Sequence, residues 1–137
     1  MEGLSDKTTV VTDGAGGIGL ATVQRLANAG RNVILADVES SNGEVLAAEV
    51  DNGRGMVHFM PIGVVNVESL TQAASHVVSR YGSVDSIVAN AGIAVMSEAF
   101  DYNEETWRKT MAVNLYGAFF TVQSFAKHMR GRMVALF

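Results

Sequence analysis

A cluster of glycines constrains the fold of this chain more than any other feature of its sequence. Residues 12–19 read Thr-Asp-Gly-Ala-Gly-Gly-Ile-Gly, directly after an apolar block, Thr8–Thr12, and before a helical pattern that stops at Gly30. Glycine permits tight turns and lets other groups approach the backbone closely. A strand that turns at once into a helix presents backbone N–H groups at the helix N-terminus, where phosphate groups bind. We therefore predict a strand–turn–helix unit here, with a phosphate-binding turn inside it.

Apolar blocks rich in valine and isoleucine alternate with helical patterns along the rest of the chain. The blocks predict strands at residues 8–12, 32–36, 56–60, 84–89 and 132–137, and the patterns predict helices at residues 18–29, 40–50, 68–80 and 104–129. In the first helix, the apolar face comprises Ile18, Ala21, Thr22, Leu26 and Ala29. Apolar strands that alternate with helices predict a parallel sheet covered on both faces. We expect a single α/β domain over residues 1–137.

The second predicted strand ends at an acidic residue, Asp37. In Rossmann-type domains, a carboxylate at this place accepts hydrogen bonds from the adenosine ribose of a dinucleotide. Asp37 would repel the 2′-phosphate of NADP, and the glycine segment contains no Lys or Arg to neutralise that phosphate, so we expect NAD as the cofactor. Two alternatives to this cofactor site remain. The glycine-rich turn could bind no ligand, and Asp37 could be a solvated carboxylate at the end of a strand. The predicted fold is thus a doubly wound Rossmann-type sheet of about five strands in the order 3-2-1-4-5.

The composition excludes several other functions. A net charge of -4 disfavours nucleic acid as a partner, because an acidic surface repels a phosphate backbone. The sequence has no cysteine, and its three histidines are scattered without carboxylates at ligand spacing, so we expect no metal site. No apolar run reaches the roughly 18 residues that span a bilayer, and the first residues lack the apolar core of a signal peptide. We expect a soluble, cytoplasmic protein without membrane contacts.

Four motifs together resemble the short-chain dehydrogenase/reductase family. They are the glycine segment, similar to Thr-Gly-x-x-x-Gly-x-Gly; Asp37; residues 88–92, Val-Ala-Asn-Ala-Gly, similar to Asn-Asn-Ala-Gly; and residues 113–117, Val-Asn-Leu-Tyr-Gly, similar to Val-Asn-Leu-x-Gly. The resemblance covers nearly the whole chain and corresponds to the N-terminal part of the family's domain. It implies a Rossmann-type oxidoreductase, truncated relative to full-length members, that exchanges hydride between NAD and a small alcohol or carbonyl substrate.

The resemblance also implies roles for individual residues. The implied cofactor-binding set comprises Asp13, Gly16, Gly17, Ile18 and Gly19 around the pyrophosphate, Asp37 and Val64 at the adenosine, and Asn90, Ala91 and Gly92 beside the nicotinamide-side ribose. Asn114 is implied to be catalytic, holding a water in the proton-relay path. The alternative for Asn114 is a polar helix residue that bonds to local backbone, because buried polar groups need partners in either case.

Three positions depart from the family's pattern. Asp13 stands where the family has its first glycine, so its carboxylate would face the diphosphate of the cofactor. At about 5 Å and an effective dielectric constant of about 20, the repulsion per unit charge is about 3 kcal/mol before screening, or roughly a hundredfold in affinity. Asp13 could instead point into solvent or become protonated, or the loop could shift in register. Gly63 and Ala89 remove polar contacts, each at a cost of about 1 kcal/mol.

The family's catalytic serine and its Tyr-x-x-x-Lys pair have no counterpart in this sequence. The lysine of that pair lowers the tyrosine pKa, which allows proton transfer near neutral pH. The residues four positions after Tyr81, Tyr102 and Tyr116 are Asp85, Thr106 and Phe120. We therefore expect no turnover by this chain alone. A non-catalytic nucleotide-binding or oligomer-forming module of the same fold, and another Rossmann protein such as a methyl transferase, remain alternative functions.

The predicted long helix carries a wide apolar stripe. Its members are Trp107, Met111, Leu115, Phe119, Val122 and Phe125. Part of the stripe must pack against the sheet. The remainder would expose a contiguous apolar surface, which is typical of interfaces, so we expect a homo-oligomer.

Overall fold

The computed structural model describes residues 6–129, which form a four-stranded parallel sheet flanked by helices. The strands are β1 (Thr8–Thr12), β2 (Asn32–Asp37), β3 (Val57–Pro61) and β4 (Ser86–Val88), in the order β3-β2-β1-β4. The helices are α1 (Gly17–Asn28), α2 (Gly43–Asp51), α3 (Val67–Tyr81), α4 (Glu104–Met111) and α5 (Ala118–Ala126), with a π-helical segment, Ala112–Gly117, between α4 and α5. The predicted α/β fold and the order of these four strands are confirmed. The fifth predicted strand, residues 132–137, lies outside the described residues.

The two central strands, β1 and β2, are buried on both faces, whereas most residues of β3 and β4 are half-buried. Val10 pairs with Ile34 of β2 and Ile87 of β4, and these side chains belong to the core beneath α3 and α5. The next residue, Val11, faces the opposite side and packs with Val23 of α1. Because successive side chains of a strand point to opposite faces, they contribute to two separate cores, one on each face of the sheet.

The predicted apolar face of α1 is wrong at Ile18 and Ala21, whereas Leu26 does pack against the core. The residues of α1 that the fold buries are Gly19, Val23 and Ala27, whereas the side chain of Ile18 is 78% exposed and that of Ala21 is exposed as well. The helix starts directly after the turn from β1, so the turn sets which side meets the sheet. Small side chains on that side let the helix approach the sheet closely, and they give a weaker hydrophobic pattern than the larger side chains that remain outside.

The predicted long helix over residues 104–129 is interrupted. It consists of α4, the π-helical segment and α5, which ends at Ala126. A π-helical turn contains an extra residue relative to an α-helical turn and often lies at a functional site. The predicted fourth strand is also shorter than expected, because the pairing within it covers Ser86–Val88 and Val84 forms only an isolated bridge with Met129.

Candidate functional site

The carboxyl ends of β1, β2 and β4 meet beside a cleft of about 270 Å³. β2 and β3 lie on one side of β1 and β4 lies on the other, and ligands of open α/β sheets bind at such a switch in strand order. The cleft is lined by Asp13, Asp37, Val38, Ile62, Val64, Val65, Ala91, Gly92, Ile93 and Val113. The fold therefore brings residues from all four sequence motifs to one place.

The glycine segment makes a tight turn from β1 into α1. A Cβ at Gly19 would collide with the carbonyl oxygen of Asp13, so only glycine lets the helix lie this close to the turn. A Cβ at Gly17, in contrast, would meet nothing within 4 Å, and the neighbouring side chain of Ile18 points outward. No side chain caps the N-terminus of α1. The first N–H groups of this helix, which have no partner within the helix, are therefore open to an anion.

The carboxylate of Asp37 is fixed at the end of β2. Its Oδ2 accepts a hydrogen bond from the Ala15 N–H at 3.0 Å, and its Oδ1 accepts one from the Val38 N–H at 2.7 Å. The first of these bonds attaches β2 directly to the glycine turn. Each carboxylate oxygen can accept a second bond. Asp37 can therefore receive a pair of hydroxyl groups from the cleft without losing its position.

The side chain of Asp13 lies inside the turn. The residue has φ = 51°, a left-handed conformation that aspartate tolerates better than most residues. Both carboxylate oxygens lie 2.8 Å from the position a Cβ on Gly16 would take. Burial, and to a smaller extent the charge of Asp37, raise the pKa of Asp13 above its ordinary value of 3.8. Of the alternatives left open by the sequence, a side chain directed away into solvent is excluded, because Asp13 is half-buried and lines the cleft.

Thr12 connects the glycine turn to the segment after β4, a role that sequence reasoning missed. Its hydroxyl oxygen accepts hydrogen bonds from the N–H groups of Asn90 (3.0 Å) and Ala91 (3.1 Å). The side-chain amide of Asn90 donates back to the Thr12 carbonyl at 3.2 Å. The available signal was the hydroxyl of a nearly fully buried residue at the end of β1, within the glycine motif itself. These bonds place Asn90 and Ala91 beside the glycine turn.

Asn114 holds the loop after β4 by a reciprocal pair of hydrogen bonds. Its Oδ1 accepts from the Ile93 N–H at 2.8 Å, and its Nδ2 donates to the Ile93 carbonyl at 2.9 Å. These bonds are made to backbone 21 residues away in the chain, not to the local backbone of the helix. Gly92 lies next to this pair, since a Cβ there would be 3.5 Å from Asn114 Oδ1. The π-helical segment therefore positions the segment 90–93 through one side chain.

Val64 forms part of the wall of the cleft. Its side chain packs against the buried Gly117 of the π-helical segment, where a Cβ would lie 2.7 Å from Val64 Cγ2. Gly63, one of the positions that departs from the family's pattern, has open space around its Cβ position. The connection between β3 and α3 thus contributes the apolar side chain of Val64 to the cleft. Residue 63 is glycine and contributes no polar side chain.

Two further properties of residues 6–129 bear on function. None of the helices there is both long and apolar enough to cross a membrane. Over the same residues, no group of three or more His, Asp or Glu side chains is arranged to hold a metal ion.

Comparison with known proteins gives a consistent family match. The sequence matches the short chain dehydrogenase family over residues 7–135. It is 32% identical over 126 residues to the D-threitol dehydrogenase of Mycolicibacterium smegmatis and 34% identical over 131 residues to the L-rhamnose 1-dehydrogenase (NAD(P)(+)) of Azotobacter vinelandii. These alignments cover 92% and 93% of this chain but 48% and 51% of the two relatives, so the chain spans about half the length of the curated relatives it matches.

The fold is similar to that of solved structures. A short-chain dehydrogenase from Novosphingobium aromaticivorans superposes with a TM-score of 0.85 and 28% sequence identity. The similarity covers 93% of this chain and 47% of the other chain. The architecture of residues 6–129 is therefore that of one half of such a protein.

Proposed function

Because this chain belongs to the short-chain dehydrogenase family, we propose that it binds NAD at the carboxyl ends of β1, β2 and β4, for hydride exchange with a small alcohol or carbonyl compound. NAD would supply the hydride acceptor or donor, and this chain would bind and orient it. The observation that carries the proposal is the Asp37 carboxylate, which two backbone N–H groups fix behind the open N-terminus of α1.

Asp37 would bind the adenosine ribose and select NAD over NADP. Its two oxygens keep lone pairs for the two ribose hydroxyls. A 2′-phosphate in place of one hydroxyl would bring a second negative charge against the carboxylate, and residues 12–19 contain no Lys or Arg to offset it. Val64 would contact the adenine from the wall of the cleft.

The start of α1 would bind the pyrophosphate. The open space at Gly17 and the outward side chain of Ile18 leave the backbone of the first helical turn accessible. These N–H groups and the helix dipole favour an anion. The carboxylate of Asp13 beside Gly16 is the one feature of the turn that opposes a diphosphate, and we expect weak binding at neutral pH for that reason.

The segment 90–93 would lie at the nicotinamide-side ribose. Asn90, Ala91 and Gly92 are held there by Thr12 on one side and by Asn114 on the other. An amide side chain offers two acceptor and two donor positions, and Ile93 uses one of each on Asn114. The remaining pair would hold a water in the proton-relay path, which is the catalytic role proposed for Asn114.

The chain by itself would bind nucleotide without turning over substrate. The family's catalytic serine and Tyr-x-x-x-Lys pair match no residues of this sequence. The second candidate function is a non-catalytic nucleotide-binding or oligomer-forming module. The position of the Asp13 side chain favours it, because this carboxylate lies beside Gly16, in space that a dinucleotide would need.

Calorimetric titration with NAD, NADP and S-adenosylmethionine distinguishes these functions. We expect NAD to bind, NADP to bind at least tenfold more weakly, and S-adenosylmethionine not to bind. Failure of every nucleotide to bind, together with a stable dimer or larger species in sedimentation, would support the oligomer-forming module. Tight binding of S-adenosylmethionine would indicate a methyl transferase. An absorbance assay for NAD reduction with simple alcohols should give no turnover, and measurable turnover would refute the proposed inactivity.

We further propose that the chain forms a homo-oligomer and acts in the cytoplasm. The support for self-association is a set of apolar side chains exposed on α4, the π-helical segment and α5: Trp107, Leu115 and Phe119. Leu115 and Phe119 line an open groove of about 680 Å³ between this helical region and the end of β4. The acidic, cysteine-free composition supports the cytoplasmic assignment.

A further inference from the structure

Asp13 occupies a place in the turn that a dinucleotide would have to share. Its carboxylate lies against Gly16, the residue that precedes the first turn of α1. The same carboxylate lines the cleft together with Asp37. The turn therefore already contains an anion at the point where the helix N-terminus would attract one from outside.

The two carboxylates have unequal surroundings. Asp37 accepts two short hydrogen bonds from backbone N–H groups. The carboxylate of Asp13 has one donor among the described residues, Nδ2 of Asn90 at 3.5 Å, and that donor also serves the carbonyl groups of Thr12 and Asp13. A half-buried carboxylate with so little hydrogen bonding gains a proton more readily than a solvated one. The Asp13 carboxyl group is therefore suited to become neutral.

We propose that dinucleotide binding at this site is coupled to the uptake of one proton by Asp13, which makes this residue the determinant of pH-dependent affinity. This inference rests on the proposed NAD site. When Asp13 is protonated, the repulsion between its carboxylate and the diphosphate disappears, and the carboxyl group becomes a hydrogen-bond donor.

The groups around Asp13 support this coupling. Burial and the Asp37 charge already raise the pKa of Asp13, and a bound diphosphate would raise it further in the same direction. Asp37 from β2 is the charged side chain that faces Asp13, the first turn of α1 carries no acidic residue, and the segment after β4 contributes the neutral Asn90. Because the bound state holds more protons than the free state, the affinity for NAD must fall as the pH rises, by at most tenfold per pH unit.

The test is calorimetric titration of NAD into the wild-type chain and three variants between pH 5 and pH 8.5. Asp13→Gly and Asp13→Asn remove the charge, and both residues tolerate the left-handed backbone at this position. Asp101→Asn is the matched control, because Asp101 is an exposed carboxylate in the loop before α4. We expect the dissociation constant for NAD to rise with pH in the wild type and in Asp101→Asn. In the two Asp13 variants it should stay nearly constant and, at pH 8, be at least tenfold lower than in the wild type.

Repeating the titrations in buffers of different ionisation enthalpy counts the protons directly. We expect an uptake near one proton for the wild type and near zero for the Asp13 variants.

The outcomes separate this inference from the proposed function. Binding with the same pH profile in the wild type and in both Asp13 variants would overturn the proton coupling and leave NAD binding intact. Absence of binding in all chains at every pH, with unchanged thermal unfolding midpoints, would refute the NAD site and the coupling with it. Weaker binding by both Asp13 variants at all pH values would also overturn the coupling, because it would make the carboxylate a favourable contact.

Discussion

Gly19 lies where α1 meets the turn, and its missing side chain is what allows this contact. A Cβ there would collide with the carbonyl oxygen of Asp13. We predict that Gly19→Ala lowers the free energy of unfolding by about 1–3 kcal/mol, because the helix or the turn must move to relieve the overlap. Urea denaturation followed by circular dichroism measures this difference.

The matched control is Gly17→Ala, in the same turn of the same helix. A Cβ at Gly17 meets nothing within 4 Å. Alanine is favoured over glycine in a helix by up to about 1 kcal/mol, so this variant should be as stable as the wild type or slightly more stable. Equal losses of stability in both variants would contradict the close contact at Gly19.

Asp37 is the residue at which cofactor selectivity is tested. We predict that Asp37→Asn weakens NAD binding by about tenfold, because hydrogen bonds to a charged acceptor are worth more than those to a neutral amide. The preference for NAD over NADP should decrease as well, since the repulsion of a 2′-phosphate is removed. Fluorescence or calorimetric titration with both nucleotides gives the ratio of dissociation constants, with Asp101→Asn as the control. An unchanged ratio would show that Asp37 does not face the ribose.

At the scale of residues, the sequence predicted which types of side chain come together better than it predicted how each side chain is oriented. The glycine motif of residues 12–19 and the acidic residue at the end of β2 were predicted to lie together, and Asp37 does bond to the turn and line the same cleft as Asp13. The orientation of Asp13 was left open, since it depends on a left-handed backbone angle and on contacts with Gly16 and Asn90 from elsewhere in the chain. Thr12 was missed because its role consists of bonds to a segment 78 and 79 residues away.

The connection between α2 and β3 depends on one carboxylate at the C-terminal end of α2. Asp51 accepts hydrogen bonds from the N–H groups of Gly55 (2.8 Å), Met56 (2.6 Å) and Val57 (2.8 Å). Desolvation raises its pKa, but these backbone bonds outweigh that effect, and the pKa of Asp51 lies below its ordinary value of 3.8. A depressed pKa in the folded state means that the stabilisation is present above pH 3.8 and is lost as the pH falls below that value.

We predict that Asp51→Asn lowers the free energy of unfolding by about 1 kcal/mol at pH 7, a modest loss for these bonds because the carboxylate faces solvent. The difference between wild type and variant should shrink as the pH is lowered through the acid range. Urea denaturation at pH 7 and near pH 3 measures both values. Glu49→Gln, at an exposed position of the same helix, is the control and should have little effect at either pH. A constant difference at both pH values would contradict the role of the charge.

At the scale of elements, patterns succeeded where one side of a helix is clearly apolar. The helix α3 was predicted over residues 68–80 and spans Val67–Tyr81, and one side of it, which carries Leu70, Ala73, Ala74 and Val77, is buried. Part of the face of α1 was predicted wrongly because its buried side is built from glycine, valine and alanine. The π-helical segment Ala112–Gly117 has no clear sequence signal, since residues 112–117 continue the helical pattern and the interruption is visible only in the backbone of the folded chain.

At the scale of the whole molecule, the fold leaves apolar surface on the side of the sheet that carries α4, the π-helical segment and α5. Within residues 6–129, α5 packs against α3 through buried side chains such as Phe125. Trp107, Leu115 and Phe119 of the predicted stripe remain about half exposed. The sequence pattern identifies the apolar residues of the stripe, but it does not show which of them the fold buries, as it does Phe125, and which it leaves exposed.

The division of the stripe gives a prediction about assembly. The ring of Phe119 stacks edge-on against Phe120, which packs on the core, so Phe119 presents a rigid apolar surface to a partner. We predict that the wild type sediments as a dimer or larger species at micromolar concentration and that Phe119→Ser weakens the association by at least tenfold, because burial of a phenylalanine side chain contributes about 1.5–3 kcal/mol. Phe100→Ser, which removes a fully exposed ring from the loop before α4, should leave the association constant unchanged. Sedimentation at several concentrations distinguishes the cases: a wild type that stays monomeric, or equal weakening by both substitutions at unchanged thermal midpoints, would exclude this stripe as the interface.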